Sequence, residues 1–144
     1  MRSPLVQTAA LLIEMPKLLP YRVSSVIVSL AGVEPDVRAY RIDHREVVES
    51  DGVEEALLKV ADSYVQLLTP TNDTSPVAKY LAKKGEGLHH IGYRVADCGA
   101  ALDAVKAQGG RVIDEAPRPG SRGTPVAFVH PKGAFGTLIE LVQE

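Results

Sequence analysis

At 144 residues, with 45% apolar and 24% charged side chains and a net charge of −2, the chain can build one packed domain, or two small half-domains on a shared core. That charge balance supplies no basic field for nucleic acid or an anionic membrane, and no run approaches the length of a membrane span. Cys98 is the single cysteine, so no internal disulfide can form and a reducing cytoplasm is expected.

Residues 1–43 carry the fewest signals. The opening MRSPLVQTAALLIEM has only a short apolar core, interrupted by Gln7 and Thr8 and followed by Glu14, so it is not expected to be a signal peptide. Pro16 and Pro20 break whatever precedes them. Arg22–Val33 has the β-branched content of a strand, ended by Gly32 and Pro35. No histidine occurs in this stretch.

From His44 the pattern is regular. His44–Glu49 is expected to be a strand, closed by the turn residues Ser50-Asp51-Gly52. Val53–Val60 has mixed periodicity that is compatible with a helix, whereas the internal repeat described below reads it as the first strand of a strand–turn–strand unit. Tyr64–Leu68 (YVQLL) is a short apolar strand interrupted by Gln66, and Thr69–Ser75 is a loop that caps a helix over Pro76–Lys84. Pro76 suits that helix's first turn, Val77, Tyr80 and Leu81 share one side, and Gly85 stops it. Leu88–Val95 is a strand that opens with His89 and His90. Successive strand side chains face opposite ways, so one imidazole of the pair is expected to face a given site, where it would suit a divalent metal. A helix over Cys98–Gln108, with Cys98 structural, then a strand over Arg111–Asp114 complete this part. The Pro/Gly-rich loop Glu115–Gly123 is expected to lie over a site, and strands at Val126–His130 and Thr137–Val142 close the chain.

An internal repeat emerges when Val53–Leu68 is laid on Ala127–Val142. YVQLL falls on LIELV and Gln66 on Glu140. A carboxylate inside an apolar strand is costly unless paired or bound to a cation, although an edge strand with both residues facing solvent gives the same text. If the repeat builds a pseudo-twofold cavity, His90, Gln66 and Glu140 meet in it. Such an N/O donor set suits Co, Mn, Ni, Zn or Fe.

The stretches HREVVESDGVEEALL, VQLLTP, DTSPVAKYLAKKGEGLHHIGYRVAD, RVIDEAPRPGSRG and FVHPKGAFGTLIELVQ closely resemble the methylmalonyl-CoA epimerase family of the vicinal oxygen chelate superfamily. The resemblance spans residues 44–144. It implies an α+β fold of paired βαβββ modules in an open, cupped mixed sheet, with the first module atypical or incomplete. The modules would be 1–75 and 76–144, the second beginning with the linking helix. It implies metal ligands at Gln66, His90 and Glu140, a divalent ion with cobalt first among the candidates, and Glu55 and Glu140 as the alternating base and acid. It further implies epimerisation at C2 of methylmalonyl-CoA in propionyl-CoA metabolism, by a cytoplasmic homodimer. The family's fourth ligand is a first-strand histidine in an I-D-H-[IV]-[GA] motif that this sequence lacks. Ile42-Asp43-His44 is not that motif, because His44-Arg45-Glu46 occupies the family's second-strand position. Glu54 is expected to face solvent, His89 and His130 to be structural or supporting, and Arg118, Arg122 and Lys132 to lie near the cavity mouth, most of them solvated. Two other readings stand beside the epimerase: a glyoxalase-like metalloenzyme, and a metal-free binding protein, which the missing histidine favours.

Overall fold

The computed structural model describes residues 23–29, 42–60 and 62–144, the first of these segments as backbone alone. The remaining N-terminal expectations lie outside the described residues. Four strands, β1 (Val23–Ser29), β2 (Ile42–Val48), β3 (Val53–Val60) and β4 (Ser63–Pro70), precede a helix, α1 (Pro76–Lys84). After it come β5 (Gly87–Val95), α2 (Cys98–Ala107), β6 (Arg118–Pro119), β7 (Pro125–Val129) and β8 (Ile139–Gln143).

Val53–Val60 is a strand, as the internal repeat required, and not the helix its periodicity also allowed. Ala56, Leu57 and Leu58 are consecutive and all buried, so β3 is covered on both faces. A strand covered on both faces loses its alternation and shows the continuous apolar run that made its period ambiguous. Arg111–Asp114, expected as a strand, makes one bridge, Val112 to Val129. Its ladder stops because the Asp114 carboxylate, rather than a backbone carbonyl, accepts the Phe128 N–H at 2.8 Å.

Among the described residues, the eight strands form one sheet in the order β2-β3-β4-β1-β5-β8-β7-β6. The order is symmetric about the antiparallel β1–β5 pair, with β1 parallel to β4 and β5 parallel to β8. A pseudo-twofold axis therefore passes at Val26 and Ile91, which face each other. It exchanges Ser25, opposite Gly92, with His90, opposite Ile27. The parallel ladders agree, since Ile27 pairs with Gln66 and Gly92 with Glu140. The match of Gln66 to Glu140 is thus real in space, and the position equivalent to His90 in the first module is held by Ser25.

Two register slips obey the same axis. Ser24 is the extra residue in β1, and His89 the extra residue in β5. A bulge re-aims a side chain. That is why both His89 and His90 line the central cavity, contrary to the expectation that one would point away.

The helices close opposite sides of the sheet. Cys98 and Leu102 of α2 pack on Ala127, Val129 and Leu141, so Cys98 is structural, as expected, and burial pushes its thiol pKa up. α1 spans the expected residues. Ser75 Oγ accepts the Val77 N–H at 3.2 Å, and Gly85, at φ +73°, gives its N–H to the Leu81 carbonyl at 2.8 Å. Val77 packs against Val53 and Leu68, so α1 forms one end wall of the cup.

Candidate active site

The concave face holds a cavity of about 180 Å³ whose polar lining includes Glu55, Gln66, His89, His90, Ser121 and Glu140. It brings together all four of the residues Glu55, Gln66, His90 and Glu140. β3 supplies Glu55 and β4 Gln66; β5 supplies His90 and β8 Glu140, the last pair on adjacent parallel strands. Glu54 points the other way and pairs with Arg45 at 3.5 Å, more than a third exposed.

His90 Nε2 and Glu140 Oε2 are 3.3 Å apart, with side chains 6% and 12% exposed. That is long for a charge-assisted hydrogen bond, which spans about 2.7–2.9 Å. It suits two donors sharing one ion at about 2.1 Å each. On the far side of the ring, His90 Nδ1 lies 2.9 Å from His89 Nδ1. Burial, and then the neighbouring charges of His90 and Lys84, push His89 down to about 4, so it is a neutral partner able to accept the His90 Nδ1–H. That proton placement leaves the His90 Nε2 lone pair facing the cavity. Phe128 packs edge-on to the His90 ring at 5.2 Å. The residues fit a divalent cation on this side of the cavity, with Gln66 facing it from β4.

Glu55 is only 2% exposed. Gln66 Nε2 donates to its Oε2 and Ser121 Oγ donates to its Oε1, both at close range. Burial pushes its pKa up to about 7; the Ser121 and Gln66 hydrogen bonds pull down, and the charge of Glu46 pushes up again. Ser121 also lies 3.0 Å from Glu46 Oε1, which accepts the Arg122 N–H at 2.6 Å. Burial raises the Glu46 pKa, but these hydrogen bonds and the nearby His44 outweigh it and leave it lowered. His44, Glu46 and Glu55 thus form a second group of donors, their atoms within 4.8 Å of one another.

Sequence reasoning missed Ser121 and Glu46. The only available signal was the Gly-Ser-Arg-Gly turn in a loop already expected to cover the site. Arg118 does line the cavity, but it is paired with Asp51 at 3.1 Å and stacked on Phe128 at 5.3 Å. Arg122 is paired with Glu144 at 2.6 Å. Lys132 lines no part of the cavity, and His130 caps its own turn by accepting the Lys132 N–H at 3.0 Å.

Gly120 sets the position of Ser121. A Cβ there would lie 2.6 Å from Val126 Cγ1, and Val126 is fully buried. Gly120→Ala is expected to push the loop outward at a cost of about 1–3 kcal/mol. Thermal unfolding would show the loss of stability, and activity should fall with it as Ser121 leaves Glu55.

The glyoxalase/bleomycin resistance protein/dioxygenase superfamily matches residues 22–128. The ethylmalonyl-CoA/methylmalonyl-CoA epimerase of Cereibacter sphaeroides is 35% identical over 76% of this chain and 90% of its own length. The chain belongs to this superfamily, in its methylmalonyl-CoA epimerase branch. The superfamily match reaches back through β1, so the likeness extends further toward the N-terminus than residue 44. Within the branch, a methylmalonyl-CoA epimerase structure with methylmalonyl-CoA and ammonium bound superposes with a TM-score of 0.81 at 38% identity, over 86% of this chain and 94% of that one. Structures of the Streptomyces coelicolor epimerase with 2-nitronate-propionyl-CoA bound carry single substitutions of a glutamate, a glutamine or a serine. An uncharacterized Bacillus subtilis protein, YqjC, is 36% identical over 69% of this chain and 71% of its own length.

Proposed function

We propose that the chain is a methylmalonyl-CoA epimerase that moves the C2 proton between Glu55 and Glu140. The observation that carries this reading is a buried carboxyl, Glu55, poised near neutrality in the same cavity as the His90–Glu140 pair. The glutamate, glutamine and serine substituted in the Streptomyces enzyme are the residue types that Glu55, Gln66 and Ser121 bring into contact here.

The C2–H of a 2-methylmalonyl thioester lies between two carbonyls and is acidic. Inversion needs a base on one face and an acid on the other. Glu55 takes or returns the proton from its side, and Glu140 does so from the opposite wall. Gln66 and Ser121 hold the Glu55 carboxyl by one oxygen each, so it cannot turn away. Gln66, His90 and Glu140 would hold a divalent cation. When bound, that ion supplies Lewis acidity at the thioester oxygen. The donor set suits Co, Mn, Ni, Zn or Fe, and cobalt is our first candidate. We take residues up to 75 and from 76 as the two modules, and the protein as a cytoplasmic homodimer. Among the described residues no helix is long and apolar enough to cross a membrane.

Deuterium wash-in at C2 of methylmalonyl-CoA, with metal content measured on the same protein, tests the reading. Bound metal and exchange support it. Retained CoA-thioester binding with neither metal nor exchange would instead establish a binding protein.

The pH dependence is specific. Turnover in either direction uses the carboxyl pair with one proton between its members, because the equilibrium between two epimers does not depend on pH. With Glu55 at about 7, that proton is lost as pH rises through neutrality. kcat/KM from both epimers should therefore fall in parallel on the alkaline side. Profiles that stay flat through this region would rule out a shared proton.

A further inference from the structure

Glu46 stands outside the reaction as written and Ser121 enters it only by holding the Glu55 carboxyl, yet both are joined to Glu55 by an unbroken line of hydrogen-bonding oxygens. Glu55 Oε1 meets Ser121 Oγ, and Ser121 Oγ lies 3.0 Å from Glu46 Oε1. Glu55 is 2% exposed, at the wall of a cavity that substrate would fill, whereas the Glu46 side chain is 30% exposed on β2. His44 Nε2 lies 3.4 Å from the same Glu46 oxygen and makes no hydrogen bond of its own. A base buried this deeply has no direct contact with bulk water through which to shed the proton it has taken.

We propose that Ser121 and Glu46 form the proton outlet of Glu55. This inference rests on the epimerase reading and adds a route to it. The Glu55 carboxyl O–H passes its proton to Ser121 Oγ while the Ser121 hydroxyl proton passes to the Glu46 carboxylate. Glu46 then releases one proton to water. Glu55 ends as a carboxylate, Ser121 is unchanged, and solvent has gained one proton. Ser121 makes this possible because a hydroxyl donates and accepts at once. Glu46 is kept in place by the Arg122 N–H at 2.6 Å. The route serves one side of the cavity only, since Glu140 takes no part in it.

That one-sidedness is the test. In D2O, deuterium entering unreacted methylmalonyl-CoA is measured at low conversion, from each epimer separately. For the epimer whose C2–H faces Glu55, exchange into recovered substrate requires Glu55 to trade its proton with solvent. Glu46→Gln keeps an oxygen to accept the Arg122 and Ser121 donors but carries no acidic proton. It should lower exchange from that epimer at least about tenfold while exchange from the other stays within about twofold. A merely structural role for Glu46 would displace Glu55 and slow single-turnover epimerisation from both epimers, which needs Glu55 but no outlet; that result, or no change in exchange from either epimer, overturns the outlet. If the unsubstituted protein places deuterium in the inverted epimer but in neither recovered substrate, the outlet falls alone; deuterium in neither substrate nor inverted product overturns the epimerase reading, and the outlet with it.

Discussion

Glu55→Gln is expected to lower epimerisation by about 10²- to 10⁴-fold, the range that a positioned general base contributes. The amide preserves the size of the side chain and can still meet Gln66 and Ser121, so KM should change little and the loss should appear in kcat. Glu54→Gln is the matched control. It lies on the opposite face of the same strand, in a partly exposed pair with Arg45, and should retain activity. A second readout does not depend on turnover. The Glu55 pKa in the folded protein is about 7, above its ordinary 4.5. Between those values the folded chain binds more protons than the unfolded one, so stability falls as pH rises. The contribution is fully present below about 4.5 and is lost as pH passes through about 7. Glu55→Gln removes that slope, so its melting temperature should decline less than the parent's between mildly acid and mildly alkaline buffer. Full activity in Glu55→Gln would move the base to another carboxylate; parallel melting curves would show that Glu55 is ionised in the fold.

The repeat of YVQLL on LIELV was legible because both strands keep a single polar residue among apolar neighbours. The fold puts Gln66 and Glu140 at symmetric positions beside β1 and β5. The helix over Pro76–Lys84 was legible to the residue, since serine, proline and glycine act locally at its ends. What failed was whatever depends on distant chain. β3 hid its period because both of its faces are covered. The joint exposure of His89 and His90 to the cavity depends on a one-residue slip against β1 that no property of β5 alone announces. Ser121 and Glu46 were invisible for a related reason: a serine and a carboxylate 75 residues apart acquire meaning only when a loop folds over a neighbouring strand. Glu55 itself came from the family resemblance, because a glutamate next to Glu54 in a half-polar strand looks like surface.

Ser25→His is expected to raise affinity for divalent metal. The argument is one of register. The axis at Val26 and Ile91 exchanges Ser25 with His90, and the bulges at Ser24 and His89 obey the same symmetry. The first module therefore carries Ser-Ser where the second carries His-His. A neutral serine is a poor donor beside an imidazole, so the proposed site has Gln66, His90 and Glu140 as its strong donors. Partners outside the ligand sphere already change affinity by about 10- to 100-fold, and a ligand restored at the metal should add at least that much. Chelator competition on the metal-free protein measures it directly, without any assay of turnover. His90→Ala gives the opposite limit and should bring metal binding close to nothing, because it removes the only imidazole whose Nε2 faces Glu140 across 3.3 Å. If Ser25→His binds metal no better than the parent while His90→Ala loses it, the site is complete with three donors and the missing histidine is compensated by water. If neither variant changes the affinity, the ion is held elsewhere, and the group formed by His44, Glu46 and Glu55 is the place to look next.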